Sequence, residues 1–76
     1  MVKVYSTDSC TWCMKVKKYF KMNNIDFEDI NIQRSVSAKI EMIEKTHQMG
    51  VPVIDIDGTI IVGFDRTAID NALNLN

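Results

Sequence analysis

Apolar residues come in short runs along this chain, and their spacing switches between that of strands and that of helices. Val2-Lys3-Val4-Tyr5-Ser6 is a brief Val- and Tyr-bearing run that predicts a buried central strand, and Thr7-Asp8-Ser9 follows with turn and capping side chains. From Thr11 to about Asn23 the period changes. Cys13, Val16 and Phe20 recur at helical spacing with Tyr19 beside them, while Lys15, Lys17, Lys18 and Lys21 take much of the other surface. This is an amphipathic helix whose lysines form a solvated face, with a favourable dipole contribution at the C-terminal end. Asn23-Asn24 ends it. Residues 25–32, Ile-Asp-Phe-Glu-Asp-Ile-Asn-Ile, alternate apolar and polar side chains, as a strand with one covered face does. Two strands joined by a helix make a parallel unit.

Ser35 or Ser37 can cap a second helix, whose inward stripe is expected at Val36, Ile40, Ile43 and His47, with Glu41, Glu44 and Lys45 outward. His47 reads as the polar end of that stripe, a structural rather than a catalytic histidine, because no carboxylate or nucleophile spacing marks it as a base. Gln48-Met49-Gly50 stops the helix. Residues 51–56 form a strand with Pro52 near its start, Asp57-Gly58 is a hairpin turn, and residues 59–62 return antiparallel. Gly63-Phe64-Asp65 closes the sheet. Asp65 caps a last helix with Ile69, Ala72 and Leu73 inward, ending in a polar tail around Asn74-Leu75-Asn76. The predicted order is βαβ, then a helix, then ββα.

Composition adds bounds. With 76 residues, residues 1–76 are expected to form a single domain that buries only about 60% of its unfolded surface. The 46% hydrophobic and 25% charged content is that of an ordinary folded domain. A net charge of −1 calls for neither nucleic acid nor an anionic membrane as partner. No apolar run approaches the roughly 20 residues that span a bilayer. The N-terminus enters a strand with no charged leader and apolar signal core, so a cytoplasmic protein is expected. A monomer is expected as well.

The chemistry concentrates at Ser9-Cys10-Thr11-Trp12-Cys13, which holds the only two cysteines. Zinc would need two further ligands, and the sequence offers His47 alone, so no metal site is expected. A static staple across so short a loop would constrain the unfolded chain little. Redox exchange fits better. If Cys10 opens the helix, unpaired N–H groups and the positive dipole end face its sulfur and favour the thiolate. Cys13, one turn on and facing inward, would then resolve the mixed disulfide. In a reducing cytosol such a disulfide is usually transient and catalytic.

With these residues in place, the chain resembles the glutaredoxin family of the thioredoxin superfamily over essentially its whole length. Cys10-Thr11-Trp12-Cys13 is similar to the redox motif, Gly50-Val51-Pro52 to the family's Thr-Val-Pro segment, and Val62-Gly63-Phe64-Asp65 to the Gly-containing turn before the final helix. The resemblance implies an α/β, thioredoxin-like fold, βαβ-α-ββα, with a four-stranded mixed sheet flanked by three helices. It implies Cys10 as nucleophile, Cys13 as resolving thiol and a cis Val51–Pro52 bond. Substrate contacts would come from Thr11, Trp12, Val51, Pro52, Gly63, Phe64 and Asp65. Disulfide-containing proteins or low-molecular-weight disulfides would be the substrates, with no tightly bound cofactor.

The chain departs from the family pattern at several positions. Thr11 stands where proline is common and Trp12 where tyrosine is frequent. Thr7 replaces the Lys or Arg that glutathione-using members carry for the glycine carboxylate, and Arg66 stands where such members often have an aspartate for the amino group. The Gly63-Phe64 pair instead resembles the glutaredoxin-like hydrogen donors of ribonucleotide reductase, which thioredoxin reductase recharges. The electron donor is therefore thioredoxin reductase or glutathione, with the former expected. The alternative function is a glutathione-dependent iron-sulfur cluster carrier, which Thr11 leaves open and the missing glutathione contacts oppose.

Overall fold

Seven elements alternate in the expected order in the computed structural model, which describes residues 1–75. Asn76, the end of the expected polar tail, lies outside the described residues. The elements are β1 (Val2–Ser6), α1 (Thr11–Met22), β2 (Glu28–Asn31), α2 (Val36–Thr46), β3 (Val53–Ile56), β4 (Thr59–Val62) and α3 (Arg66–Leu73). They build one four-stranded sheet in the order β2-β1-β3-β4. β1 runs parallel to β2, with Tyr5 opposite Ile30, and antiparallel to β3, with Val4 opposite Ile54. β3 and β4 close the antiparallel hairpin. The mixed sheet and three helices are those the sequence predicts.

The two central strands are covered on both faces, which explains why they read as near-continuous apolar runs. Val2 and Val4 of β1 and Ile54 and Ile56 of β3 point to one face, where they pack with Val16 and Phe20 of α1 and Ile69 of α3. Tyr5 and Val53 point the other way, onto Met42 of α2 and Ile32. Burying each such side chain contributes about 1.5–3 kcal/mol. Side-chain caps open the later helices. The Ser35 hydroxyl, rather than Ser37, accepts the Ala38 N–H at 3.2 Å, and Asp65 accepts the Ala68 N–H at 3.1 Å. In the hairpin turn both Asp57 (φ 49°) and Gly58 (φ 94°) are left-handed, as a turn matching the sheet twist requires.

Three expectations change. β2 pairs over only four residues, because Ile25 and Phe27 leave the ladder to pack against the α1 face of the core. β3 starts at Val53, after Pro52, whose carbonyl instead accepts the Gly63 N–H at 2.8 Å. The largest correction concerns α2. Val36 and Ile40, expected inward, are 75% and 53% exposed, and His47 is exposed too, while Ala38 and Met42 are buried. Glu41 and Lys45, expected outward, reach the sheet. Tyr5 donates its hydroxyl to Glu41 at 2.7 Å, and Lys45 donates to the Tyr5 oxygen at 2.9 Å and to Asp55 at 2.8 Å. A buried carboxylate needs a partner, and turning α2 by about half a turn from the expected face supplies it. The helix then stops at His47, which takes the left-handed C-cap conformation (φ 57°) ahead of Gly50.

Candidate dithiol site

β1 ends at Ser6, and Thr7-Asp8-Ser9 carries the chain over to Cys10, the N-cap of α1, with extended backbone (φ −85°, ψ 109°). The Cys10 sulfur takes the place a capping oxygen usually has, accepting the Cys13 N–H at 3.1 Å. The two cysteines form a disulfide with their Cα atoms 5.2 Å apart. Their exposure differs. Cys10 is half-buried, whereas Cys13 is fully buried one turn into α1. In the dithiol form the outer sulfur would sit against unpaired helix N–H groups, which favour a negative charge there.

Five other expected residues meet beside this pair. Trp12, Val51, Pro52, Gly63 and Phe64 line one shallow cleft, and the Val51–Pro52 bond is cis. Gly63 (φ 86°) makes the left-handed turn that brings Phe64 back towards α1. The remaining two stand differently. Thr11 is exposed as the first residue of α1, and the Asp65 carboxylate is taken up in capping α3.

Reading the sequence for the site missed the role of Tyr19. Its ring lies 5.7 Å from Phe64, and its hydroxyl donates to Asp70 at 2.5 Å, so it props Phe64 from below. Two turns of helix separate Trp12 from Tyr19, and that spacing was the available signal. Lys15 and Lys17 are also engaged rather than merely solvated. The Lys15 ammonium lies 4.2 Å over the Trp12 ring, and Lys17 pairs with Asp29 at 3.0 Å. Arg66 is exposed and lies 4.7 Å over the Tyr19 ring, and the Tyr19 hydroxyl raises its guanidinium still further above the ordinary range. On the other side of the cysteines, Thr7 shares a groove with Gln33 and Lys39.

Comparison with known proteins places this geometry among relatives. The glutaredoxin family model matches residues 2–61. The chain is 49% identical over 73 residues to an uncharacterized glutaredoxin-like 8.6 kDa protein in the rubredoxin operon of Clostridium pasteurianum, covering 96% of this chain and 97% of that one. It is 39% identical over 67 residues to the glutaredoxin-like protein NrdH of Lactococcus lactis subsp. lactis, covering 84% and 88%. Among solved structures, a point mutant of the thioredoxin-like protein BC3987 superposes with a TM-score of 0.92 at 25% identity, over 99% of this chain and 96% of that one.

Proposed function

The chain belongs to the glutaredoxin family and is a thiol-disulfide oxidoreductase, and we propose that it reduces protein and low-molecular-weight disulfides with Cys10 as nucleophile and Cys13 as resolving thiol. The observation that carries this reading is the unequal burial of two bonded sulfurs at a helix N-terminus. In the first step the Cys10 thiolate attacks one sulfur of the substrate disulfide, forming a mixed disulfide and expelling the other sulfur as a thiolate. In the second, Cys13 loses its proton and attacks the Cys10 sulfur. The Cys10–Cys13 disulfide closes, the second substrate thiolate leaves, and the substrate has gained two electrons and two protons. The cleft of Trp12, Val51, Pro52, Gly63 and Phe64 holds the substrate chain, with the backbone of residue 51 available for strand-type hydrogen bonds. The protein works as a single-domain cytoplasmic monomer without a tightly bound cofactor.

Recharging the dithiol falls to a thioredoxin reductase with NADPH in this proposal. Thr7 offers no charge-assisted contact to a glutathione carboxylate, an interaction worth about 1.5–3 kcal/mol, and exposed Arg66 repels the glutathione ammonium. Losing one such contact weakens affinity roughly ten-fold. The 39%-identical relative named as a glutaredoxin-like protein NrdH supports the same side. Glutathione is the second reading, favoured by Lys39 in the groove that Thr7 lines. NADPH consumption with a disulfide substrate decides between them. Turnover is expected to be faster with thioredoxin reductase than with glutathione plus glutathione reductase. Turnover with the glutathione system alone would overturn the donor and leave the dithiol mechanism standing.

A further inference from the structure

Three rings and two cations form a continuous strip along the rim of the cleft. The Lys15 ammonium lies over Trp12 at 4.2 Å, Trp12 and Phe64 have centroids 6.4 Å apart, Phe64 and Tyr19 5.7 Å, and the Arg66 guanidinium lies over Tyr19 at 4.7 Å. The order across the surface is cation, ring, ring, ring, cation. Trp12 is 56% exposed, and Lys15 and Arg66 are exposed as well. Among the described residues no ion pair includes Lys15 or Arg66. Asp70, the carboxylate that acts on Arg66, is already hydrogen-bonded by the Tyr19 hydroxyl. An apolar strip thus ends at both sides in a positive charge that no carboxylate among the described residues pairs with, on a chain whose net charge is −1.

We propose that this strip docks a protein segment in which acidic side chains flank an apolar one next to its disulfide. The proposal rests on the disulfide-exchange reading above. An apolar side chain laid on Trp12 and Phe64 removes both from water, and carboxylates on either side of it reach the two cations. Arg66 stays engaged with Tyr19 through its face and the Tyr19 hydroxyl, and the guanidinium has further N–H donors to offer a carboxylate, which its planar shape can bind in two-pronged fashion. A basic segment meets like charge at both ends and is rejected, so the strip supplies discrimination as well as affinity. Rings and cations also suit a single-stranded nucleic acid. The strip includes Trp12, which stands between the two cysteines in the chain, however, and a disulfide is something a protein brings and a nucleic acid does not.

Trp12 is the sole tryptophan, so its fluorescence reports both docking and exchange in the intact chain. The probes are a synthetic peptide with Glu-Leu-Glu beside an intramolecular disulfide, its Lys-Leu-Lys counterpart, and versions of both with serine for cysteine. The reduced protein is expected to exchange with the acidic peptide about ten-fold faster than with the basic one at low salt, with the gap closing towards high salt as the charges are screened. The double variant Lys15→Glu/Arg66→Glu is expected to invert the ratio, and Lys15→Gln/Arg66→Gln to bring it near unity, with circular dichroism checking that both stay folded. The cysteine-free acidic peptide should perturb Trp12 at lower concentration than the basic one. Equal exchange rates, or a preference that survives salt and charge reversal, overturn the surface while leaving disulfide exchange intact. Selective docking of the cysteine-free acidic peptide with no exchange by either disulfide supports the surface and removes the exchange reading. An oligodeoxynucleotide that perturbs Trp12 as strongly as the acidic peptide overturns the choice of a protein partner.

Discussion

The Cys10 sulfur, half-buried at the N-cap, receives the Cys13 amide, while the Cys13 sulfur is out of reach of solvent. A thiolate at the first position is accessible to a disulfide in solution, and one at the second is accessible only to its neighbour. After reduction, iodoacetamide is therefore expected to modify Cys10 on the order of ten-fold faster than Cys13 at neutral pH, as read by mass spectrometry of the two sites. Cys13→Ser should accumulate a mixed disulfide at Cys10, and Cys10→Ser should form none. Equal alkylation, or trapping through Cys13, would reverse the roles proposed for the pair.

The helices show how far an amphipathic pattern reaches at the level of single elements. α1 and α3 present to the sheet the apolar residues their spacing marks, Val16 and Phe20 on one and Ile69 on the other. α2 does not, since its Val36 and Ile40 lie in solvent and Ala38 and Met42 lie inside. Met42→Ala is accordingly expected to destabilise the fold by about 2–5 kcal/mol through lost burial and a cavity. Ile40→Ser, a change that the spacing alone would rank as equally severe, should stay within about 0.5 kcal/mol. Urea midpoints of the two variants check this, and a large loss in Ile40→Ser would restore the inward stripe read from the sequence.

Across the whole molecule, α2 is tied to the sheet by a charged network as well as by apolar contact. Lys45 bridges Tyr5, Glu41 and Asp55, and Lys3 stands 3.8 Å from Glu41. Burial pushes the Asp55 carboxyl up, but hydrogen bonds from Lys45 and the Gly58 N–H outweigh it and leave it below its ordinary value. The Tyr5 hydroxyl and Lys45 together lower Glu41, while Asp55, then Tyr5, hold the Lys45 ammonium well above the usual lysine range. A depressed carboxylate stabilises above its unfolded value of about 4 and loses that contribution as pH falls through the lower folded value; a raised lysine stabilises below about 10.4. The network therefore acts fully between about pH 4 and pH 10. Lys45→Met leaves the Asp55 carboxylate buried without its ammonium, which is expected to cost about 2–3 kcal/mol at pH 7. That gap should narrow at pH 3, where Asp55 can protonate, and urea midpoints at the two pH values measure it. A gap of the same size at both would place the loss in packing rather than in charge.

The same network marks what the sequence could and could not determine. Strand and helix order, the Asp57-Gly58 turn, the Asp65 cap and the placement of Cys10 at a helix start all rest on residues a few positions apart, and local propensity and capping decide them. The face that α2 buries depends on Tyr5 and Asp55, whose places opposite Glu41 and Lys45 exist only once β1 and β3 are paired. The strip from Lys15 to Arg66 likewise needs the Gly63 turn to return the chain to α1. Dihedral preferences and periodicity act within about one turn of helix or strand pair, so they write the elements into the sequence. Partners from distant segments decide which polar groups can be buried, because only the assembled fold brings their counter-charges and hydrogen bonds within reach.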